Sequence, residues 1–137
     1  MGKKVTDSMS SNPRSVDADQ SVANAAKMME DANVGLAPIV EEDRLVGTVT
    51  DRDIAIRAVA AGKDPETTKV LEIATKEVVT IGPAQELEEA LSLMAEHQVR
   101  RLPVVEDGRL VGVLAQADVA KDASPEETGR LVERISE

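Results

Sequence analysis

The sequence predicts a mixed α/β (α+β) chain made of two pseudo-symmetric β-α-β-β-α units, packed sheet against sheet with their helices outside. Two observations carry that expectation. The chain repeats itself at a constant offset of 65 residues without a gap: Lys4-Val5 returns as Lys69-Val70, Gln20 as Gln85, Ala25 as Ala90, Met29 as Met94, Val34 as Val99 and Pro38 as Pro103. The densest match is Arg44-Leu45-Val46-Gly47, which returns as Arg109-Leu110-Val111-Gly112, with Asp53 following as Asp118. Within each copy, helical spacing of apolar residues gives way to short apolar runs separated by turn residues. Two copies are fewer than a solenoid needs, so each must bury the face that the other cannot cover.

In the first copy Val16 closes a short extended segment, and Asp19 is the expected N-cap of a helix. Val22, Ala25, Ala26 and Met29 share one face of that helix, which ends near Asn33. Leu36 to Val40 and Leu45 to Thr50 read as strands joined by the acidic turn Glu41-Glu42-Asp43. Asp51 is placed to cap a second helix over Ile54 to Ala61, which Gly62 stops. The second copy offers Val78 to Ile81 as its extended segment and Leu87, Ala90, Leu91, Met94 and Ala95 as its helix face. Its hairpin, Leu102 to Val105 and Leu110 to Leu114, turns at Asp107-Gly108, a strong hairpin signal. Gly47 and Gly112, inside strands, are expected where another backbone comes close. Met28, Met29 and Met94 are expected to fill core space.

This places the first repeat at residues 1–61, a connector containing Asp64-Pro65 at 62–69, and the second repeat at 70–123. Over 124–137, Ser124, Pro125 and Glu127 form a capping box with proline at the first helical position. Thr128, Leu131, Val132 and Ile135 follow at helical spacing, so a short amphipathic helix is expected there, packed on its own domain or on a second subunit.

Composition narrows the function. A chain of 137 residues buries roughly 70% of its unfolded surface on folding, and isolated halves would be marginal. There is no Phe, Tyr or Trp, so no base can stack on an aromatic ring, and the net charge of −10 opposes a phosphate backbone. Nucleic acid is therefore not an expected partner. With no cysteine and one histidine, His97, there is no thiolate or imidazole cluster for zinc, iron or copper, and no thiol redox chemistry. Met1-Gly2-Lys3-Lys4 leads into a polar stretch, and no apolar run approaches a membrane span. A soluble cytoplasmic protein without a membrane partner is the expectation.

The pattern Val-x-Asp-x-Met at Val5 to Met9, the helix ending in Met28-Met29, the Leu36 to Val40 segment and above all Leu45 to Ile54 resemble a CBS domain. Val99 to Val105 with Leu110-Val111-Gly112 resembles the second member of a tandem pair, a Bateman module. The resemblance spans nearly the whole chain and is to stand-alone bacterial two-CBS proteins, including those of stress and hypoxia responses. It implies a regulatory role, a homodimer built through exposed Ala, Val and Met positions on the helices, and an adenosyl ligand such as AMP, ADP, ATP or S-adenosylmethionine, with no resident cofactor.

The resemblance also implies a site. A hydroxyl residue three before an aspartate, at the end of the last strand, meets a nucleoside; here these are Thr50 and Asp53, with Thr48 and Arg52 beside them. A carboxylate can accept both ribose hydroxyl protons, each such charged bond contributing about 1.5–3 kcal/mol. The opposite repeat lines the base with Val78 and Val79 and faces the phosphate with Val99, Arg100 and Arg101. Two adjacent arginines are a local exception in so acidic a chain, and guanidinium forks suit phosphate. A second, weaker site would use Asp118 with Val34 and Arg14, but Ala115 stands where the first has Thr50, Ala117 where it has Arg52, and Val34-Gly35-Leu36 brings no charge.

Structural readings stand beside these. An aspartate in the first turn of a helix is favoured by the helix dipole without any ligand, and His97 suits a helix C-terminus. Successive strand residues face opposite ways, so one of Arg100 and Arg101 is left to pair with Glu96 or Glu106. No nucleophile with a neighbouring base is evident, so no enzyme and no catalytic residue is expected. Two functions remain: a sensor of an adenine nucleotide, and a ligand-independent dimerisation or partner-binding module.

Overall fold

A computed structural model of the chain describes residues 3–122; the helix expected over 124–137 lies outside the described residues. In chain order the elements are α1 (Val5–Ser8), β1 (Ser10–Ser11), β2 (Val16–Asp17), α2 (Val22–Ala32), β3 (Leu36–Glu41), β4 (Arg44–Thr50) and α3 (Asp51–Asp53), which runs into a π-helix (Ile54–Val59). A 3-10 turn (Val70–Ile73), α4 (Leu87–His97), β5 (Arg101–Glu106), β6 (Arg109–Ala115) and α5 (Gln116–Asp122) follow. They form two compact units, a mixed α+β architecture in both. One runs from Arg14 to Val78; the other joins the segment up to Pro13 to the chain from Val79 onward.

In the Arg14–Val78 unit, β3 and β4 form an antiparallel hairpin from Leu36↔Thr50 to Glu41↔Arg44, and β2 lies parallel to β3 with Val16 opposite Ile39. Glu41 is paired in the strand, so the turn consists of Glu42 and Asp43, at φ 52° and 67°. That is the double left-handed geometry of a two-residue hairpin turn. Val22, Ala25 and Met29 of α2 are buried against Ala37, Ile39 and Val49 of the sheet, while Ala26 and Met28 are half-buried. The N-cap of α2 is Ser21, whose Oγ accepts from the Asn24 amide at 3.0 Å, rather than Asp19. The chain between them is held in a turn in which Gln20 Oε1 accepts from the Asp17 amide, so the helix cannot start earlier. Asn33, left-handed at φ 55°, closes it.

The hairpin of the other unit has the same register 65 residues on, from Arg101↔Ala115 to Glu106↔Arg109, with a bulge at Val104/Val105 matching the one at Ile39/Val40. Asp107 and Gly108, at φ 54° and 81°, make its turn. Of the extended segment expected over Val78 to Ile81, only Ile81 pairs, as a lone parallel bridge to Val104 that repeats the Val16↔Ile39 match. Leu87, Ala90, Met94 and Ala95 of α4 are buried with Leu102, Val104 and Leu114, while Leu91 is half-buried.

Each unit is completed by the segment that precedes the other copy in sequence. The Val70 amide donates to Gln20 O at 2.8 Å, and Thr75 exchanges two 2.9 Å backbone bonds with Thr48. Equivalently, the Val5 amide donates to Gln85 O at 2.9 Å, and Ser10 pairs with Val113. Both strand glycines sit under these segments. A Cβ on Gly47 would meet Thr75 O at 3.0 Å, and one on Gly112 would meet Met9 Sδ at 2.7 Å and Ser10 O at 2.9 Å.

Candidate functional site

The Arg14–Val78 unit concentrates its polar burial where β4 ends. Strand pairing holds Thr50 at φ −116°, ψ 164°, so the chain leaves the sheet in extended geometry and enters the helix at once. Thr50, not Asp51, is therefore the N-cap. Its Oγ1 accepts from the Asp53 amide at 3.0 Å, and the Thr50 amide donates to Asp53 Oδ2 at 2.9 Å. Asp51 instead accepts from the Arg52 amide at 2.8 Å and is exposed.

Asp53 has further partners. Thr75 Oγ1 lies 3.4 and 3.3 Å from its two carboxylate oxygens. Arg57 Nε, one helical turn on, lies 3.7 Å from Oδ1, and Arg57 Nη1 donates to Ala74 O at 3.1 Å. The Asp53 side chain is only 10% exposed and that of Arg57 54%. The helix beyond is wound in π geometry, with the Ala60 amide donating to Ala55 O and the Lys63 amide to Ala58 O, both at 2.9 Å. It runs over Ile54–Val59 with Ala60 as its C-cap, short of the expected Ala61, and Gly62 follows at φ 75°. π-Turns are frequent at functional sites.

Of the residues singled out in the sequence, Thr48, Thr50, Arg52, Asp53 and Val78 belong to this unit, as do Arg14 and Val34. Thr48 is buried and paired through its backbone to Thr75; Arg52 and Arg14 are exposed; Val78 is half-buried. Val79, Val99, Arg100, Arg101 and Asp118 belong to the other unit. There Arg101 opens β5 opposite Ala115, and the carbonyl of Arg100 accepts from the Gln116 amide at 2.7 Å. Neither guanidinium is ion-paired among the described residues, so the expected pairing with Glu96 or Glu106 does not form; Glu96 approaches His97 Nε2 instead, at 4.0 Å. Asp118 keeps half of the capping box, the Ala115 amide donating to its Oδ2 at 3.3 Å.

Sequence reasoning missed Thr75 and Arg57. Arg57 was legible as a residue four beyond Asp53 on one helix face, but Thr75 is 22 residues away and only the fold delivers it. Also missed was a cleft of about 500 Å³ lined by Ala26, Met29, Glu30, Asn33, Val34, Gly35, Asp51 and Ile54. Gly35 helps to form it: the Asp51 amide donates to its carbonyl, and a Cβ there would lie 3.3 Å from Asp51 Oδ2. Among the described residues no cluster of His, Asp and Glu could hold a metal ion, and no helix is long and apolar enough to cross a membrane.

A doubled hairpin-and-helix unit, with a Thr-x-x-Asp corner after the last strand of the first copy, defines a tandem-repeat module. The CBS-domain profile matches residues 3–59 and 70–124, and the chain belongs to the CBS-domain family, whose domains are regulatory, non-catalytic modules. The chain is 42% identical to the CBS domain-containing protein YhcV of Bacillus subtilis, over 96% of this chain and 94% of that protein. It is 39% identical to Hypoxic response protein 1 of Mycobacterium tuberculosis, over 84% of this chain and 81% of the relative. A solved structure of that name, with two coordinated zinc ions, superposes with a TM-score of 0.82 at 36% identity, covering 89% of this chain and all of the other. CBSX2 in complex with AMP superposes with a TM-score of 0.75 at 28% identity, covering 88% of this chain and 95% of the other.

Proposed function

We propose that this chain is a non-catalytic sensor of an adenine nucleotide or related adenosyl ligand, with Asp53 accepting the ribose hydroxyls. The arithmetic of the Asp53 carboxylate carries the reading. It offers about four acceptor positions; the Thr50 amide takes one and the single hydroxyl proton of Thr75 another. Arg57 Nε, at 3.7 Å, is an ion-pair contact rather than a hydrogen bond. Among the described residues nothing takes the other two positions, which match the two hydroxyls of a ribose. The AMP held by CBSX2 supports the ligand class. Arg100 and Arg101, not ion-paired among the described residues, supply phosphate contacts in this reading, with Val78, Val79 and Val99 against the base.

Calorimetry or dye-based thermal shift, needed because there is no Trp or Tyr, tests it with AMP, ADP, ATP and S-adenosylmethionine. At one hundred times its dissociation constant a ligand should add about 2.7 kcal/mol of stability. Asp53→Ala should abolish that gain and Asp118→Ala leave most of it; equal losses would overturn the assignment. AMP should bind more tightly than adenosine, and Arg100→Ala or Arg101→Ala should narrow the gap by one to two decades.

The second reading, a ligand-independent dimerisation or partner-binding module, rests on Ile56 and Val59. They are 55% and 67% exposed, neighbours on one stretch of the π-helix. Homodimerisation through that helix predicts that light scattering shows a dimer at micromolar concentration, and that Ile56→Glu shifts it to monomer. A wild-type monomer would count against it.

A further inference from the structure

The Asp53 carboxylate is gripped from two directions by residues outside the Thr-x-x-Asp motif. Thr75 reaches both of its oxygens, and the guanidinium of Arg57 stands beside Oδ1 while donating to the carbonyl of Ala74, the residue next to Thr75. The Ala74-Thr75 peptide is itself anchored: Ala74 is buried, and Thr75 is joined to Thr48 by two backbone bonds of 2.9 Å. Arg57 thus ties the helix that bears Asp53 to the segment that bears Thr75. Neither contact is needed to start the helix, since Thr50 already caps it. The sequence does not repeat the arginine in the other copy: Asp122 stands where Arg57 would recur, and Ser10 in the place of Thr75.

We propose that Arg57 and Thr75 are positioning residues that set the ribose selectivity of this module, aiming the two unused acceptor positions of Asp53 at a pair of vicinal hydroxyls. The inference rests on the ribose-accepting role of Asp53 proposed above. A carboxylate held only by the capping box can turn about its side-chain torsions, whereas one gripped on both oxygens presents a fixed pair of acceptors. Fixed acceptors reward a ligand that carries both hydroxyls, because the ordering cost is met before binding. The exposed position of Arg57 means that its loss should leave the fold intact.

The test is the ratio of dissociation constants for AMP and its 2′,3′-dideoxy analogue, measured by calorimetry on the wild type and on Arg57→Ala, Arg57→Lys and Thr75→Val, with circular dichroism to verify folding. The wild type should favour AMP by at least about tenfold, equivalent to about 1.4 kcal/mol. Arg57→Ala and Thr75→Val should each compress that ratio severalfold with little change in affinity for the dideoxy analogue, and Arg57→Lys should restore part of it. If the wild type discriminates and both variants keep its ratio, the positioning role is overturned while the ribose role of Asp53 stands. Equal weakening of both ligands by Arg57→Ala would show a structural role and overturn it as well. A wild type that does not discriminate, or binds neither ligand, removes the ribose reading and this inference together.

Discussion

At the end of β4 the Thr50 hydroxyl accepts the Asp53 amide while the Asp53 carboxylate reaches back to the Thr50 amide and out to Thr75 and Arg57. At the end of β6, Ala115 has no hydroxyl to offer, and what is described of Asp118 is one longer bond from the Ala115 amide. Yet the two corners leave hairpins of identical register, with bulges at matching positions and matching bridges from the neighbouring segments. Backbone pairing and turn geometry hold the frame whichever side chains stand at the corner. The chemistry of the two corners can therefore differ while the fold keeps both.

The largest contrast lies in the cores. Ala37 and Leu102 occupy equivalent places and both are fully buried, so the space at this position differs between the two units. Leu102→Ala should cost about 2–5 kcal/mol through lost transfer energy and a cavity. Ala37→Leu should cost about 1–3 kcal/mol through overpacking. Urea unfolding followed by far-ultraviolet circular dichroism reads both, and an Ala37→Leu chain as stable as the wild type would break the claim that this position has less room than its counterpart.

The caps sharpen the comparison at smaller scale. Thr50→Ala removes an N-cap acceptor and should cost about 0.5–2 kcal/mol. Ala115→Thr should regain a few tenths of a kcal/mol or more by completing the box that Asp118 half makes. Opposite signs in thermal melts are the expected result; equal signs would mean that the β6 corner cannot accept the cap.

The smallest effect concerns Lys4. It faces Glu86 across an isolated bridge with a 2.6 Å ion pair, whereas Lys69 at the matching bridge faces Ser21. The hydrogen bond and charge of Glu86 raise the Lys4 ammonium above its ordinary value of 10.5. A raised folded value means that the contribution is complete below the unfolded value and is lost as pH rises through the folded one. Glu86→Gln should lower the melting temperature slightly near neutral pH, as an exposed pair allows, and not at all once Lys4 is deprotonated. A difference that persists at the highest pH would assign the effect to packing.

The repeat, the two hairpins, the buried faces of α2 and α4 and the close approach at Gly47 and Gly112 were legible in the residues alone, because each rests on local spacing or on a residue type with one dominant use. The sequence could not choose among cap-competent neighbours. Asp19 against Ser21, and Asp51 against Thr50, were settled by where the preceding turn or paired strand released the chain. Nor could it show that the segments beginning at Lys4 and Lys69 each complete the unit of the other copy. The Val5 amide finds Gln85 through burial that only the folded unit provides. The surroundings of Asp53 were decided in the same way: the motif supplied the carboxylate and its cap, but Thr75 reached it because the tertiary structure lays that segment along β4. Local periodicity encodes which face is apolar, and long-range hydrogen bonding then decides which polar atoms meet.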